Sequence, residues 1–122
     1  MNENPNPLKD KSFQFALRIV SLYKFFSEEK KEYVLSKQLL RSGTSIGANI
    51  REAQNAQSKA DFIHKLSISQ KECDETMYWI ELLFQSGYLT EKEFNSIHPE
   101  AQELLKMLRS AIITSKQKIH NS

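Results

Sequence analysis

The sequence predicts an all-α fold, an antiparallel up-down-up-down four-helix bundle whose fourth helix is kinked or split near Pro99. Three observations carry that prediction. Helix breakers are sparse: the prolines stand at positions 5, 7 and 99 and the glycines at 43, 47 and 87, so nothing forbids helix outright between Leu8 and His98. Apolar residues recur at the spacing of a helical face in successive stretches. Those stretches are separated by short segments carrying cap signals, and short turns make sequence neighbours antiparallel.

Taken in order, the predicted helices cover residues 10–26, 29–56, 59–86 and 91–118. Residues 1–8 read as a flexible arm, residues 9–119 as one bundle domain and residues 120–122 as a frayed end. In the first helix Phe13, Phe15, Leu17, Ile19, Val20, Leu22, Tyr23 and Phe26 wrap roughly 220° of the circumference, about twice what one core needs. Ser27, followed by two glutamates, is a capping hydroxyl ahead of acidic first-turn residues and is expected to open the second helix. That helix offers Leu35, Leu39, Leu40, Ile46, Ile50 and Ala53 to the core. The third opens on Ser58 with Asp61 three residues later, a capping box, and presents Phe62, Leu66, Ser69, Cys73, Met77, Ile80 and Phe84. Gly87 is a left-handed stop, and Thr90 with Glu93 repeats the capping box. The fourth stripe is Phe94, Ile97, Ala101, Leu104, Leu105, Leu108, Ala111 and Ile112. Pro99 lies within it, and its ring removes a donor and crowds the preceding turn.

A chain of 122 residues, 39% hydrophobic, can bury one sizeable core, and 10% aromatic content argues against disorder. The N-terminus has neither the basic nor the apolar region of a signal peptide, and no apolar run is long enough to span a membrane. One cysteine excludes an internal disulfide framework. The expected setting is the bacterial cytoplasm.

Candidate chemistry fails position by position. Asp61-Phe-Ile-His64 is a single, unrepeated acid–histidine pair, whereas a di-iron bundle needs such pairs from two helices. His64, His98 and His120 have no convergent metal spacing and read as surface histidines. Neither Arg51 and His64 nor Arg109 and His120 has the close spacing of RNA-cutting helical bundles of the HEPN type. Cys73 falls on the apolar stripe of the third helix and reads as a buried small residue. Gly43 to Gly47 has no following lysine and no preceding strand, so it is not a phosphate loop. No catalytic residue, metal site or cofactor is expected, and the protein is expected not to be an enzyme.

The net charge is only +2, but its placement is uneven. Between Glu72 and Glu103 eight acids face the single base Lys92, while Lys106, Arg109, Lys116 and Lys118 follow with no further acid. An antiparallel bundle brings the start of the first helix, the second turn and the chain's end to one pole. That pole gathers Lys9, Lys11, Arg51, Lys59, Lys65, Lys116 and Lys118 against Asp10, Glu52 and Asp61, a candidate surface for nucleic-acid phosphates. The surplus apolar surface on the first helix, including Phe15 and Ile19, together with Ile68, Trp79 and Leu82, predicts a homo-oligomer.

The run Arg41-x-x-x-Ser45-Ile46-x-Ala48-Asn49-Ile50-x-Glu52 resembles the signature of a family of small bacterial four-helix bundle proteins. These include the proteins encoded within intervening sequences of 23S ribosomal RNA and the accessory variability determinant of diversity-generating retroelements. Phe62, Leu66, Glu75 and the run from Ile80 to Leu89 resemble the family's third helix and its turn, so the similarity covers about residues 10–115 in order. Gly47 and Ala53 depart from it, standing where the family often has proline and glycine. The resemblance implies a bundle subunit commonly assembled into a pentameric ring. For the retroelement members it implies a basic surface that binds nucleic acid and a reverse transcriptase partner.

By helical geometry Gly43 and Gly47 lie on the core side, one turn apart, where a neighbouring helix can approach closely. Arg41, Ser45 and Glu52 lie on the other face with Asn49 at its border, and are expected to meet another chain or the first helix. The combined reading is a non-enzymatic oligomeric adaptor that touches RNA or DNA through its basic pole. The alternatives are an accessory subunit of a reverse transcriptase and a purely protein-binding assembly factor.

Overall fold

The computed structural model describes residues 6–121. Four helices follow one another: α1 (Pro7–Glu28), α2 (Val34–Gln54), α3 (Lys59–Gln85) and α4 (Glu91–Asn121). Contacts across each seam run in opposite chain directions. Gly43 lies against Ile19 and Gly47 against Ser12; Ser69 Oγ donates to the Ile46 carbonyl; and Phe84 stacks on Phe94 while Cys73 reaches Ala101. The helices therefore form the expected antiparallel up-down-up-down bundle, α1 beside α2 and α4, α3 closing the square.

The core is built from one stripe per helix. Phe15, Ile19 and Phe26 from α1 meet Leu39, Ile46 and Ile50 from α2, Leu66, Cys73, Ile80 and Leu83 from α3, and Ala101, Leu104 and Leu108 from α4. Among the small polar residues that share this interior, Ser42, Ser69 and Thr76 are held without loss, because each finds a partner. Thr76 Oγ1 donates to the Glu72 carbonyl and lies 3.0 Å from Ser42 Oγ, and Ser69 satisfies itself on Ile46. At Gly43 an added Cβ would stand 2.9 Å from both γ carbons of Ile19, and at Gly47 3.3 Å from the Ser12 carbonyl oxygen. The two glycines are what let α1 settle onto α2.

Element ends show where sequence signals are sufficient. The Thr90/Glu93 capping box is reciprocal: Glu93 N–H donates to Thr90 Oγ1 at 3.1 Å and Thr90 N–H to Glu93 Oε1 at 2.9 Å. Gly87, at φ 89°, closes α3, with Tyr88 N–H reaching the Leu83 carbonyl and Gly87 N–H that of Phe84. Ser58 caps α3 by accepting from Asp61 N–H.

Other ends depart from expectation. Helix α1 begins at Pro7, with Asn6 as its cap, so Pro7 and Leu8 belong to the bundle and not to an arm; residues 1–5 of that predicted arm lie outside the described residues. The last helix runs through Asn121, so His120 is helical. Ser27 does not open α2. It sits in the final turns of α1, where its hydroxyl donates to the Tyr23 carbonyl, and α2 starts only at Val34. The break is made by Lys31 in the left-handed region (φ 55°) and by Glu32, whose buried carboxylate accepts from Val34, Leu35 and Ser36 N–H. Pro99 does not split α4, which is continuous from Glu91 to Asn121. Beside the proline, Arg18 of α1 donates to the Ser96 carbonyl at 3.3 Å and to Ser96 Oγ, and pairs with Glu100, tying the crowded turn to α1.

Candidate nucleic-acid interface

The predicted basic residues all lie toward the pole formed by the start of α1, the α2–α3 turn and the end of α4, but they divide into groups. Lys9 and Arg51 line a trench of about 670 Å³ between α1 and α2, together with Phe13, Thr44, Ala48 and Asn55. Lys59 and Lys118 line a second depression of about 380 Å³, where Ser58 and Phe62 at the start of α3 face Ser115 of α4. Lys116 is exposed on α4. Lys11 and Lys65 are drawn away, Lys11 to Glu103 and Lys65 to Glu52 at 4.0 Å. Among the described residues Lys9, Arg51, Lys59, Lys116 and Lys118 form no ion pair.

The acids of α3 and α4 behave differently. Glu72 and Glu75 hold Arg41, Glu81 meets His98, Glu100 pairs with Arg18 and Glu103 with Lys11. Five of the eight acids between Glu72 and Glu103 are thus engaged inside the subunit, one of them with a histidine.

Of the outward-facing motif residues of α2, Arg41 and Glu52 pair with α3 rather than α1, and Ser45 and Asn49 bond within α2. Arg41 donates to Glu72 at 3.2 Å and to Glu75. Hydrogen bonding to Glu75, ahead of the nearby Glu72 charge, raises the pKa of the Arg41 guanidinium. The Glu75 carboxylate accepts from the Trp79 indole N–H at 3.0 Å, and that bond, with Arg41, holds its pKa below the usual carboxylate value. Ser45 Oγ donates to the Arg41 carbonyl and Asn49 Nδ2 to the Ser45 carbonyl, both within α2. Phe15 and Ile19, expected on an outer interface, are core residues at 1% and 0% exposure. The arc of apolar side chains on α1 is real, but its inward members are Phe15, Ile19 and Phe26 and its outward members Phe13 and Leu17; Phe25, outside that arc, is exposed as well. Ile68, Trp79 and Leu82 are half-buried.

Two side chains acquire surroundings that spacing did not reveal. His98 is not a plain surface histidine: its side chain is 14% exposed, stacks on Phe94 and lies 2.9 Å from Glu81. Phe13 is 47% exposed and has the Arg51 guanidinium 5.7 Å from its ring centroid. Its signal in the sequence was membership of the surplus apolar arc, one turn after Lys9. Cys73 is fully buried, donates to the Ala101 carbonyl at 3.3 Å, and has its pKa pushed up to about 12, chiefly by burial. Among the described residues no three His, Cys, Asp or Glu side chains gather as metal ligands, and no helix is long and apolar enough to cross a membrane.

Fold and surface together define a small helical-bundle protein. The chain belongs to the 23S rRNA-intervening sequence protein family, whose model it matches over residues 6–110. It is similar to a protein of unknown function from the S23 ribosomal protein family of Bacteroides thetaiotaomicron VPI-5482, solved by crystallography. The identity is 59%, with 86% of this chain and 97% of that one covered and a TM-score of 0.85. No curated protein shows a significant match.

Proposed function

We propose that the protein is a non-enzymatic subunit that assembles with copies of itself and binds RNA or DNA at its basic pole without reading sequence. The observation that carries this reading is a contrast in pairing: among the described residues Lys9, Arg51, Lys59, Lys116 and Lys118 form no ion pair at a pole they share with Asp10 and Asp61, while five acids of α3 and α4 are engaged. Unpaired cations of this kind neutralise phosphates and release counterions, which gives affinity that falls steeply with salt. Self-association is supported by Leu17, 48% exposed, and Phe25, which line an apolar groove of about 760 Å³ between α1 and α4. A ring, as the family resemblance implies, would align the poles and multiply a modest field.

The test is binding of generic RNA and DNA across a salt series. Affinity should fall linearly in log–log form, and the double substitution Lys116→Glu and Lys118→Glu should weaken it without changing the sedimentation coefficient. Absence of binding at low salt, or binding with no salt slope, rejects the phosphate contacts. A monomer at micromolar concentration rejects the assembly.

A further inference from the structure

We propose that the trench between α1 and α2 takes an unpaired nucleobase, so that the protein prefers single-stranded nucleic acid over a duplex; this rests on the phosphate-binding reading above and specifies its partner. The trench has a floor of small residues, Ala16, Gly47 and Ala48, and a rim carrying Lys9, Phe13 and Arg51. Its floor exists because Gly47 lets α1 approach until the Ser12 carbonyl oxygen lies where a Cβ would be crowded. The same approach brings Phe13 of α1 beside Arg51 of α2, so an aromatic face and two cations stand together at the surface.

That combination suits one class of partner. An exposed aromatic ring flanked by cations gives a base a flat surface to stack on and its phosphates a charge to meet, whatever the base. Paired bases in a duplex are already stacked on their neighbours and present only their edges, so the ring gains nothing from them. Among the described residues that line the trench the one acid is Glu52, which lies 4.0 Å from Lys65 of α3. Arg51, already over the ring, adds a second planar surface to the stack.

The experiment compares fluorescence anisotropy of a labelled single-stranded RNA oligonucleotide, the same sequence as single-stranded DNA, and the RNA as a duplex. Wild-type protein should bind either single strand about tenfold more tightly than the duplex, the lower part of the range for one stacked base. Phe13→Leu, conservative at an exposed position, should remove the preference while leaving duplex affinity and its salt slope unchanged. Phe13→Trp should keep or enlarge the preference, which separates stacking from simple apolar bulk. Equal binding of strand and duplex by the wild type, or an unchanged preference in Phe13→Leu, overturns the proposal and leaves phosphate binding standing. No binding of any of the three at low salt overturns both.

Discussion

Arg41 and Arg51 flank the same stretch of α2, and the bundle treats them in opposite ways. Arg41 faces α3, where Glu72 and Glu75 wait for it and Trp79 holds Glu75 in place. Arg51 faces α1, where it meets an exposed aromatic ring and, among the described residues, no carboxylate partner. Both are surface guanidiniums on one helix, one expected to meet another chain or the first helix and the other assigned to the basic pole. One is consumed by the fold and the other is left available to a partner. A charge becomes a candidate for binding only when its neighbours decline to neutralise it.

The difference depends on how closely α1 lies against α2, so the most damaging way to break it is at Gly43. A Cβ there already falls 2.9 Å from the γ carbons of Ile19, itself at 0% exposure. Gly43→Leu should destabilise the fold by about 1–3 kcal/mol or more through overpacking, despite leucine's better helix propensity. Thermal denaturation checks this: an unchanged midpoint would mean the α1–α2 seam is slack. If the variant still folds, the shifted seam should separate Phe13 from Arg51 and weaken nucleic-acid binding, while the Arg41 pairs across the other seam persist.

These two seams were unequally legible. The glycine spacing announced a close approach, and the Thr90/Glu93 box and Gly87 stop were legible because their partners lie within a few residues. Ser27 fits a helix start by its acidic neighbours, but its hydroxyl can also donate back to the carbonyl four residues earlier, and that is the bond it makes in the last turn of α1. The true start depends on a left-handed lysine and on the burial of Glu32, neither of which is a local pattern. Rotation of one helix about its axis relative to the next is set by the packed core. Counting residues around α1 could find a wide apolar arc but not that Phe15 and Ile19 take its inner half. For the same reason Arg41 could be assigned a neighbour but not the right one.

Glu32 sets where α2 begins and therefore the register in which both arginines are presented. Burial pushes the pKa of its carboxyl up, but the hydrogen bonds from Leu35, Ser36 and Val34 outweigh that and hold it below the ordinary 4.5. Replacing the carboxylate with an amide, Glu32→Gln, should cost about 1–2 kcal/mol at neutral pH, the scale of a lost N-cap. The sign of its pH dependence follows. Because the folded value is depressed, the group stabilises the protein fully above about 4.5, and the contribution is lost as pH falls through the folded value. Wild-type stability should therefore drop faster than that of Glu32→Gln on acidification. Parallel acid limbs in the two melting series would show that the three amide bonds contribute little.

The smallest effect on stability gives the sharpest version of the comparison. Arg41 is half exposed, so its pairs with Glu72 and Glu75 are screened, and Arg41→Gln should lose only about 0.5–1 kcal/mol. Its binding of RNA should be unchanged, because a guanidinium already committed to two carboxylates has no charge left to neutralise a phosphate. Arg51→Gln should do the reverse. It removes no ion pair, so the melting midpoint should hold, but the slope of log affinity against log salt should become shallower by about 0.9, the loss of one phosphate contact to a duplex. Should both variants weaken binding alike, the internal pairing of Arg41 does not shield it, and the basic surface extends across α2 to the α3 side.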